Sequence, residues 1–282
     1  MKFLAQGGLG NQLFILAEAM RLKNENPTIR LSVHLNNSKA DSILKLKGQI
    51  PRMDILISKK EFLMLQVYLT LTAQSMPLQL ATKFFPKIHI SQNISDELKI
   101  HELSQDLTVV GFFQNSTIVE RVWPTLGPLL LESLVNCRSN NKFRNEFKKY
   151  AVVHVRRGDY MANMKSFGVL SERYYDKVSR LVEFPLIVCT NDYGELQTIE
   201  RTLQPKAILG PRELSAWETL ELMSGARQVF AANSSLSWWG SYVAMKNGAE
   251  VFLPKPWFIN ETHETPSLNI QGSQSIRASF IT

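Results

Sequence analysis

The spacing of apolar positions switches repeatedly between short β-branched runs and longer helical stripes. Lys2–Gln6 predicts a first strand, closed by the turn Gly7-Gly8-Leu9-Gly10. A helix follows from about Asn11 to Asn24, with Leu13, Leu16, Ala17 and Met20 on one face. Leu31–Leu35 predicts a second strand, Lys59 to Ala73 a helix, Lys87–Ile90 a short strand and Leu107–Phe113 a longer one. The next helix is short and ends at Trp123, because Pro124, Gly127 and Pro128 break the pattern. The polar, charged stretch Arg138–Lys149 predicts a boundary between domains 1–140 and 141–282.

Beyond that boundary the alternation is regular. Strands are predicted at Tyr150–Val155, Leu186–Cys189, Ala207–Leu209, Gln228–Ala231 and Glu250–Leu253. Helices are predicted between them at Ser171–Glu183, Asp192–Leu203, Ser215–Ala226 and Leu236–Lys246. Strands alternating with helices of this length imply βαβ units and a parallel, Rossmann-like sheet, an α/β fold. Ligands of such sheets lie beyond the carboxyl ends of the strands, where Arg156, Asp192 and Asn233 fall. Residues 254–282 read as irregular.

Length and composition narrow the picture. The 282 residues suffice for two medium domains, and 44% hydrophobic with 20% charged residues is ordinary for a globular chain. The two cysteines, Cys137 and Cys189, have no CxxC spacing and read as reduced, buried thiols. No His/Cys spacing predicts a structural zinc. The N-terminal apolar run is too short for a signal peptide, and no window approaches the ~20 apolar residues of a bilayer span. Phe62–Leu80 is apolar-rich but interrupted by Gln66, Thr70, Thr72 and Gln74, which suits a buried or surface-docking helix. Net charge is +7, and all of it lies in the first half: residues 1–150 carry 19 basic and 12 acidic side chains, residues 151–282 carry 13 of each. The basic half is either diffuse solubilising charge or the footprint of an anionic partner. No nucleic-acid motif accompanies it.

Three segments carry candidate chemistry. In Val152–Tyr160, a β-branched run ends in Arg156-Arg157-Gly158-Asp159. Two adjacent guanidiniums repel unless something doubly anionic sits beside them, and arginine's planar fork matches phosphate oxygens. Strand alternation places His154 and Arg156 on one face and Arg157 on the other. The turn Gly7-Gly8-Leu9-Gly10-Asn11-Gln12 is neither a dinucleotide fingerprint nor a P-loop. It is either a tight turn capped by Asn11 or a ligand site in which Gly8 and Gly10 admit substrate and Asn11 and Gln12 donate amides. Ala232-Asn233-Ser234-Ser235 at a strand-to-helix junction offers hydroxyls and N–H groups suited to phosphate, with Trp238 and Trp239 reading as packing. In Cys189-Thr190-Asn191-Asp192, either Asn191 or Asp192 caps a helix, or Asp192 accepts from a nucleoside.

Taken together, Gly-Gly-Leu-Gly-Asn-Gln-Leu-Phe at 7–14, Gly-Phe-Phe-Gln at 111–114, His-Val-Arg-Arg-Gly-Asp-Tyr at 154–160 and Asn-Ser-Ser-Leu-Ser-Trp-Trp-Gly at 233–240 resemble the bacterial α-1,2-fucosyltransferases, in order and spacing. The resemblance implies an inverting, GDP-fucose-dependent glycosyltransferase with two Rossmann-like domains facing a cleft, the GT-B arrangement, and no metal or other cofactor. It implies that residues 141–282 bind GDP-fucose and residues 1–140 face the acceptor, a galactose-terminated oligosaccharide on a lipid pyrophosphate, built for O-antigen or capsule. It implies that Arg156 and Arg157 hold the β-phosphate, with Asp159 in the same motif. Asn233, Ser234 and Ser235 line the phosphate end, Asp192 and Glu218 sit on the donor side, and Asn11 faces the fucose. Leu236 stands where the family often has Phe, and Glu218 where it usually has Asp. Without a signal or anchor segment the expectation is a cytoplasmic enzyme, its basic half facing an anionic inner membrane, that binds no nucleic acid.

His154, Asp159 and Glu18 are candidate general bases by type. An oxocarbenium-like path needs little base, so no single dominant one is expected, and His154 reads better as an orienting residue. Other readings are a fucosyltransferase of another linkage (peptide or chitin-oligosaccharide) and a non-catalytic nucleotide-sugar-binding protein.

Overall fold

The computed structural model describes residues 1–37, 41–73, 88–91, 93–99, 106–137, 143–162, 164–194, 196–259 and 268–281. The chain divides into two compact units, Met1–Ser133 and Leu134–Thr282. The division falls earlier than the 140/141 boundary read from the charged stretch, within the last turn of an apolar helix. Residues 138–142 of that stretch lie outside the described residues.

The first unit is a parallel five-stranded sheet: β1 (Lys2–Ala5), β2 (Leu31–Leu35), β3 (Met53–Ile57), β4 (Ile88–Ile90) and β5 (Thr108–Val110), in the order β3-β2-β1-β5-β4. Helices α1 (Leu9–Glu25), α2 (Lys59–Ala73) and α3 (Ser116–Val135) belong to it, α3 running across the division. β3 was not expected, because its buried Met53 and Ile55 alternate with exposed Asp54 and Leu56 at a sheet edge. Lys87, the first residue of an expected strand, lies outside the described residues.

α3 corrects the sequence reading most. It does not stop at Trp123 but continues through Pro124 and Pro128. An interior proline costs a helix about 3 kcal/mol. Against this, Ile118, Val122, Leu126, Leu130 and Leu134 recur every four residues and are all buried, each contributing roughly 1.5–3 kcal/mol. Tertiary burial therefore outweighs the backbone penalty. A Cβ at Gly127 would come within 2.7 Å of the Trp123 ring, so the expected breaker is a packing glycine.

The second unit is a parallel six-stranded sheet: β6 (Ala151–Val155), β7 (Leu186–Thr190), β8 (Ala207–Leu209), β9 (Gln228–Phe230), β10 (Glu250–Lys255) and β11 (Gln274–Arg277). The spatial order is β11-β10-β9-β6-β7-β8. Counted from β6, this is the 3-2-1-4-5-6 order of a doubly wound dinucleotide fold. The helices are α4 (Asp159–Ala162), α5 (Met164–Phe167), α6 (Glu172–Ser179), α7 (Gln197–Leu203), α8 (Ala216–Gly225) and α9 (Ser235–Lys246). The two short turns α4 and α5 follow the arginine motif and were not legible as helices. β11 replaces part of the irregular tail expected at 254–282. It escaped notice because only Ile276 of its four residues is buried.

Every side chain of β6 is buried. Ala151, Val153 and Val155 pack against Tyr174, Tyr175 and Val178 of α6, which leaves Val152 and His154 to the opposite face. Trp238 and Trp239 are fully buried, Trp238 stacking on Tyr242 at 5.0 Å and donating from Nε1 to Leu268 O at 2.7 Å. Cys137 and Cys189 are buried free thiols.

A buried ion-pair network ties α1 to the segment before β5. Arg21 donates from Nε and Nη2 to both oxygens of the fully buried Glu18, at 2.7 Å each, and from Nη2 to Leu98 O at 2.7 Å. Leu98 N–H returns a bond to Glu18 at 2.8 Å, and Arg21 also meets Glu25 at 2.6 Å. Removing one partner leaves an uncompensated charge in the interior. Arg21→Ala should therefore lower unfolding free energy by about 3–5 kcal/mol in urea titrations. Arg121→Ala, which breaks the exposed pair with Glu97 at the rim, should cost less than about 1 kcal/mol.

Candidate active site

In a parallel sheet whose strand order reverses, the crevice opens where neighbouring strands send their connections to opposite sides. In the second unit that point lies between β6 and β9, so Arg156 and Asn233 end adjacent strands there. Arg156 Nη2 contacts Asp159 Oδ1 at 2.7 Å and Oδ2 at 2.8 Å. Its guanidinium carbon lies 5.1 Å from the centre of the Tyr160 ring. Tyr160 stacks on Phe167 and donates its hydroxyl to Asn233 O at 3.1 Å, linking the β6 and β9 loops. Burial pushes the Tyr160 phenol up to about 12, so it remains a neutral donor. Arg156 Nε is buried without a hydrogen-bond partner among the described residues. An anion at the strand end would satisfy that orphaned donor, and Asp159 neutralises the charge until then.

Gly158 makes this geometry possible. Its φ of +53° lies in the left-handed region, and a Cβ there would stand 2.6 Å from Asn191 Nδ2. Asn191 in turn accepts from Arg157 N at 2.8 Å and locks the turn to the end of β7. Sequence reading singled out Asp192 for the site and weighed Asn191 only as a helix cap. The signal was available in the polar pair that ends a buried strand. Asp192 uses its carboxylate locally, accepting from Gly194 N at 3.0 Å.

Arg157 differs from Arg156. It is 3% exposed and donates from Nη1 to Leu170 O at 2.9 Å, with its guanidinium 5.8 Å from the Tyr175 ring. Alternation assigned it to the face opposite Arg156, and it braces the strand end from the α6 side. A cavity of about 660 Å³, lined by Arg157, Glu172, Tyr193, Leu196 and Ile208 among others, opens beside it.

The other donor-side candidates divide into structural and available groups. Asn233 is buried and gives its amide hydrogens to Phe167 O at 3.0 Å and Gly168 O at 3.1 Å, clamping the segment before α6. Ser234 caps α9 by accepting from Ser237 N at 3.2 Å. Ser235 is half-buried in the first turn of α9, at the positive end of the helix. Glu218 forms a capping box with Ser215 at the start of α8, accepting from Ser215 N at 2.8 Å. His154 is buried with Nδ1 unpartnered among the described residues. Burial, then the Arg156 charge, lowers its pKa to about 3. An imidazole that weakly basic is a poor proton acceptor, which favours an orienting role.

The first unit has its own reversal point, between β1 and β5. There Gln114 Nε2 donates to Asn11 Oδ1 at 3.0 Å. That bond engages Oδ1 and leaves Nδ2 without a hydrogen bond among the described residues. Gln114 is held by Phe113, a non-glycine residue at φ +51° that is fully buried against Phe3. Such a backbone persists only where packing enforces it. Gly111 accommodates the Phe113 ring, since a Cβ would approach it to 2.6 Å. The motif at 111–114 was noticed, but Gln114 was given no role, because nothing along the chain places it beside Asn11.

The helix α1 begins at Leu9, with Gly8 rather than Asn11 at the cap position. Gly10 therefore lies inside the first turn. Gly7 has φ +72°, and a Cβ there would meet Asn11 Nδ2 at 2.5 Å, whereas one at Gly8 would meet nothing. Gln12 is committed to structure, donating to Gly7 O at 3.0 Å and accepting from Ile43 N at 3.1 Å. Glu18, considered as a base, is excluded from that role by its bidentate pairing with Arg21.

Two parallel α/β units, each with polar side chains at its sheet reversal, make a GT-B-type architecture. The chain belongs to glycosyl transferase family 11, whose family model matches residues 1–265. Relatives from Escherichia coli include an "Alpha-1,2-colitosyltransferase", 26% identical over 90% of this chain and 91% of that protein. Another is the "O-antigen biosynthesis glycosyltransferase WbnK", 25% identical over 89% of this chain and 93% of that protein. Among solved structures, E. coli heptosyltransferase WaaC with ADP superposes with a TM-score of 0.51, at 11% identity over 98% of this chain and 93% of that one. That likeness establishes the fold.

Two outcomes test this geometry. Gly158→Ala forces a side chain into the left-handed region, at about 1–2 kcal/mol, and against Asn191. It should weaken binding of a nucleoside diphosphate, measured by calorimetry, far more than it lowers the melting temperature. For His154, the unfolded imidazole takes up a proton near 6.5 while the folded one stays neutral to about 3. Stability should therefore fall as pH drops through that window, and His154→Gln should flatten the dependence in denaturation series.

Proposed function

We propose that this glycosyltransferase moves L-fucose from GDP-β-L-fucose to the 2-hydroxyl of a terminal β-galactoside, with inversion, in the assembly of an O-antigen or capsule oligosaccharide. The observation that carries this reading is Arg156. It stands at the sheet reversal with Nε unpartnered among the described residues and its charge balanced by a single exposed carboxylate. The α-1,2 linkage draws support from the relative named a colitosyltransferase, and the setting from the relative named for O-antigen biosynthesis.

In this reaction the donor C1–O bond breaks and GDP leaves with the electron pair. The acceptor oxygen bonds to C1 from the opposite face, and its proton passes to solvent or to the departing phosphate. Negative charge grows on the β-phosphate as positive charge grows on the sugar. Arg156 and the positive end of α9 act on that developing charge, so they favour the transition state over the ground state. The guanidinium makes a metal unnecessary for leaving-group stabilisation in this scheme. We assign donor binding to the second unit. On the first unit, Asn11, oriented by Gln114, offers an amide suited to sugar hydroxyls. The enzyme would work at the cytoplasmic face of an anionic inner membrane.

The colitosyltransferase relative favours a second reading, transfer of colitose, a deoxygenated relative of L-fucose, by the same chemistry. The test is transfer from GDP-fucose and GDP-colitose to a panel of β-galactosides with EDTA present. Transfer from GDP-fucose should survive EDTA and fall on the order of 100-fold in kcat for Arg156→Ala. A kcat/KM that favours GDP-colitose would install the second reading. GDP binding without transfer or hydrolysis would show a binding protein instead.

A further inference from the structure

Each guanidinium of the arginine motif lies over a tyrosine ring, Arg157 over Tyr175 at 5.8 Å and Arg156 over Tyr160 at 5.1 Å. Arg157 and Tyr175 are both buried. The Arg156 pair instead stands at the strand end, beside the crevice. There the arginine has two holds of different kinds. A ring face attracts the whole cation and takes no particular N–H, whereas a carboxylate occupies specific donors. The ring contact can therefore persist while the N–H groups change partners.

Asp159 supplies the second hold. It meets Arg156 Nη2 at 2.7 Å, and its side chain is 62% exposed. An ion pair that open to solvent is weak. A phosphate reaching Arg156 competes for the donor that Asp159 occupies, as well as filling Nε, which is unpartnered among the described residues. The carboxylate is thus lost as a hold at the moment when the guanidinium has to be in place.

The ring, by contrast, is fixed from two sides. Tyr160 stacks on Phe167, with centroids 5.1 Å and planes 25° apart. Its hydroxyl donates to Asn233 O at 3.1 Å. Asn233 gives its own amide hydrogens to Phe167 O and Gly168 O. These bonds close a circuit between the segment after β6 and the end of β9. The two strands that flank the crevice are joined through the ring on which Arg156 rests.

Resting on the role of Arg156 in the transfer proposed above, we infer that Tyr160 is a positioning residue for that arginine. Its ring keeps the guanidinium in place while the N–H donors pass from Asp159 to the departing phosphate. A guanidinium without that backing would drift as Asp159 lets go, and its contact with the leaving group would weaken as charge grows there.

The test is a double-mutant cycle on transfer from the donor that the wild type uses. Tyr160→Leu should lower kcat about tenfold. Tyr160→Phe keeps the ring and gives up the bond to Asn233, and it should stay within about threefold of wild type. In an Arg156→Ala background, Tyr160→Leu should cost less than about twofold more, because the group it positions is gone. Should Tyr160→Leu not fold, Phe167→Leu, which removes the stack behind the ring, replaces it in the cycle with an expected loss of about threefold. An equal cost in both backgrounds shows a merely structural tyrosine and overturns the inference. So does a leucine variant as active as wild type, or a phenylalanine variant as impaired as the leucine one. Calorimetry with inorganic pyrophosphate on the same proteins reads the cycle again without a sugar donor. A wild type that transfers from neither donor but shows the coupling in pyrophosphate binding counts against the transfer reading alone. One that neither transfers nor binds pyrophosphate overturns both.

Discussion

A strand buried on both faces cannot end in two arginines unless something compensates their charge. That constraint organises the second unit. β6 has every side chain in the interior, and its last peptide leads directly into Arg156 and Arg157. The two guanidiniums are dealt with differently because alternation sends them to opposite faces. Arg157 turns into the α6 side and satisfies itself on a backbone carbonyl and an aromatic ring. Arg156 stays at the strand end, held by a carboxylate three residues on, with Nε unpartnered among the described residues. Gly158 permits the tight return, and Asn191 and Tyr160 tie it to the loops of the neighbouring strands. The result is a cation whose position is set by the sheet and whose internal partner an incoming phosphate can displace.

The first unit solves a related problem with neutral groups. Its reversal point brings the glycine turn after β1 next to the segment after β5. An amide pair, Asn11 and Gln114, sits there in place of an ion pair. Its geometry depends on a phenylalanine forced into the left-handed region by burial, and on glycines at 7 and 111 that leave room. Uncharged, oriented amides suit sugar hydroxyls, as the arginine suits phosphate. The division of chemistry proposed between the units follows from what each sheet edge presents.

Much of this was legible along the chain. The alternation of β-branched runs with helical stripes marks the parallel sheets, because period and length distinguish the elements without tertiary information. The arginine strand, the glycine turn and the Asn-Ser-Ser junction were visible as polar groups at strand ends, where such sheets bind ligands. The misreadings arise where tertiary context decides. Pro124 and Pro128 look like breakers because local propensity opposes a helix, but a buried ladder of residues four apart overrides it. β3 and β11 were missed because edge strands bury few side chains. Glu18, Glu218, Gln12 and Asn233 had the right chemistry for a site, and the structure shows each of them also making hydrogen bonds that hold the fold.

The sequence by itself determined the fold class, the family and the positions at which charge and amides meet the strand ends, since these follow from local pattern and spacing. Only the tertiary structure decided which of the candidate groups are available. Availability depends on partners distant in the chain: Leu98 and Arg21 for Glu18, Phe167 and Gly168 for Asn233, Gln114 for Asn11. A hydrogen bond across a hundred residues leaves no trace in composition or period. It separates a residue that holds the protein together from one that can act on a substrate.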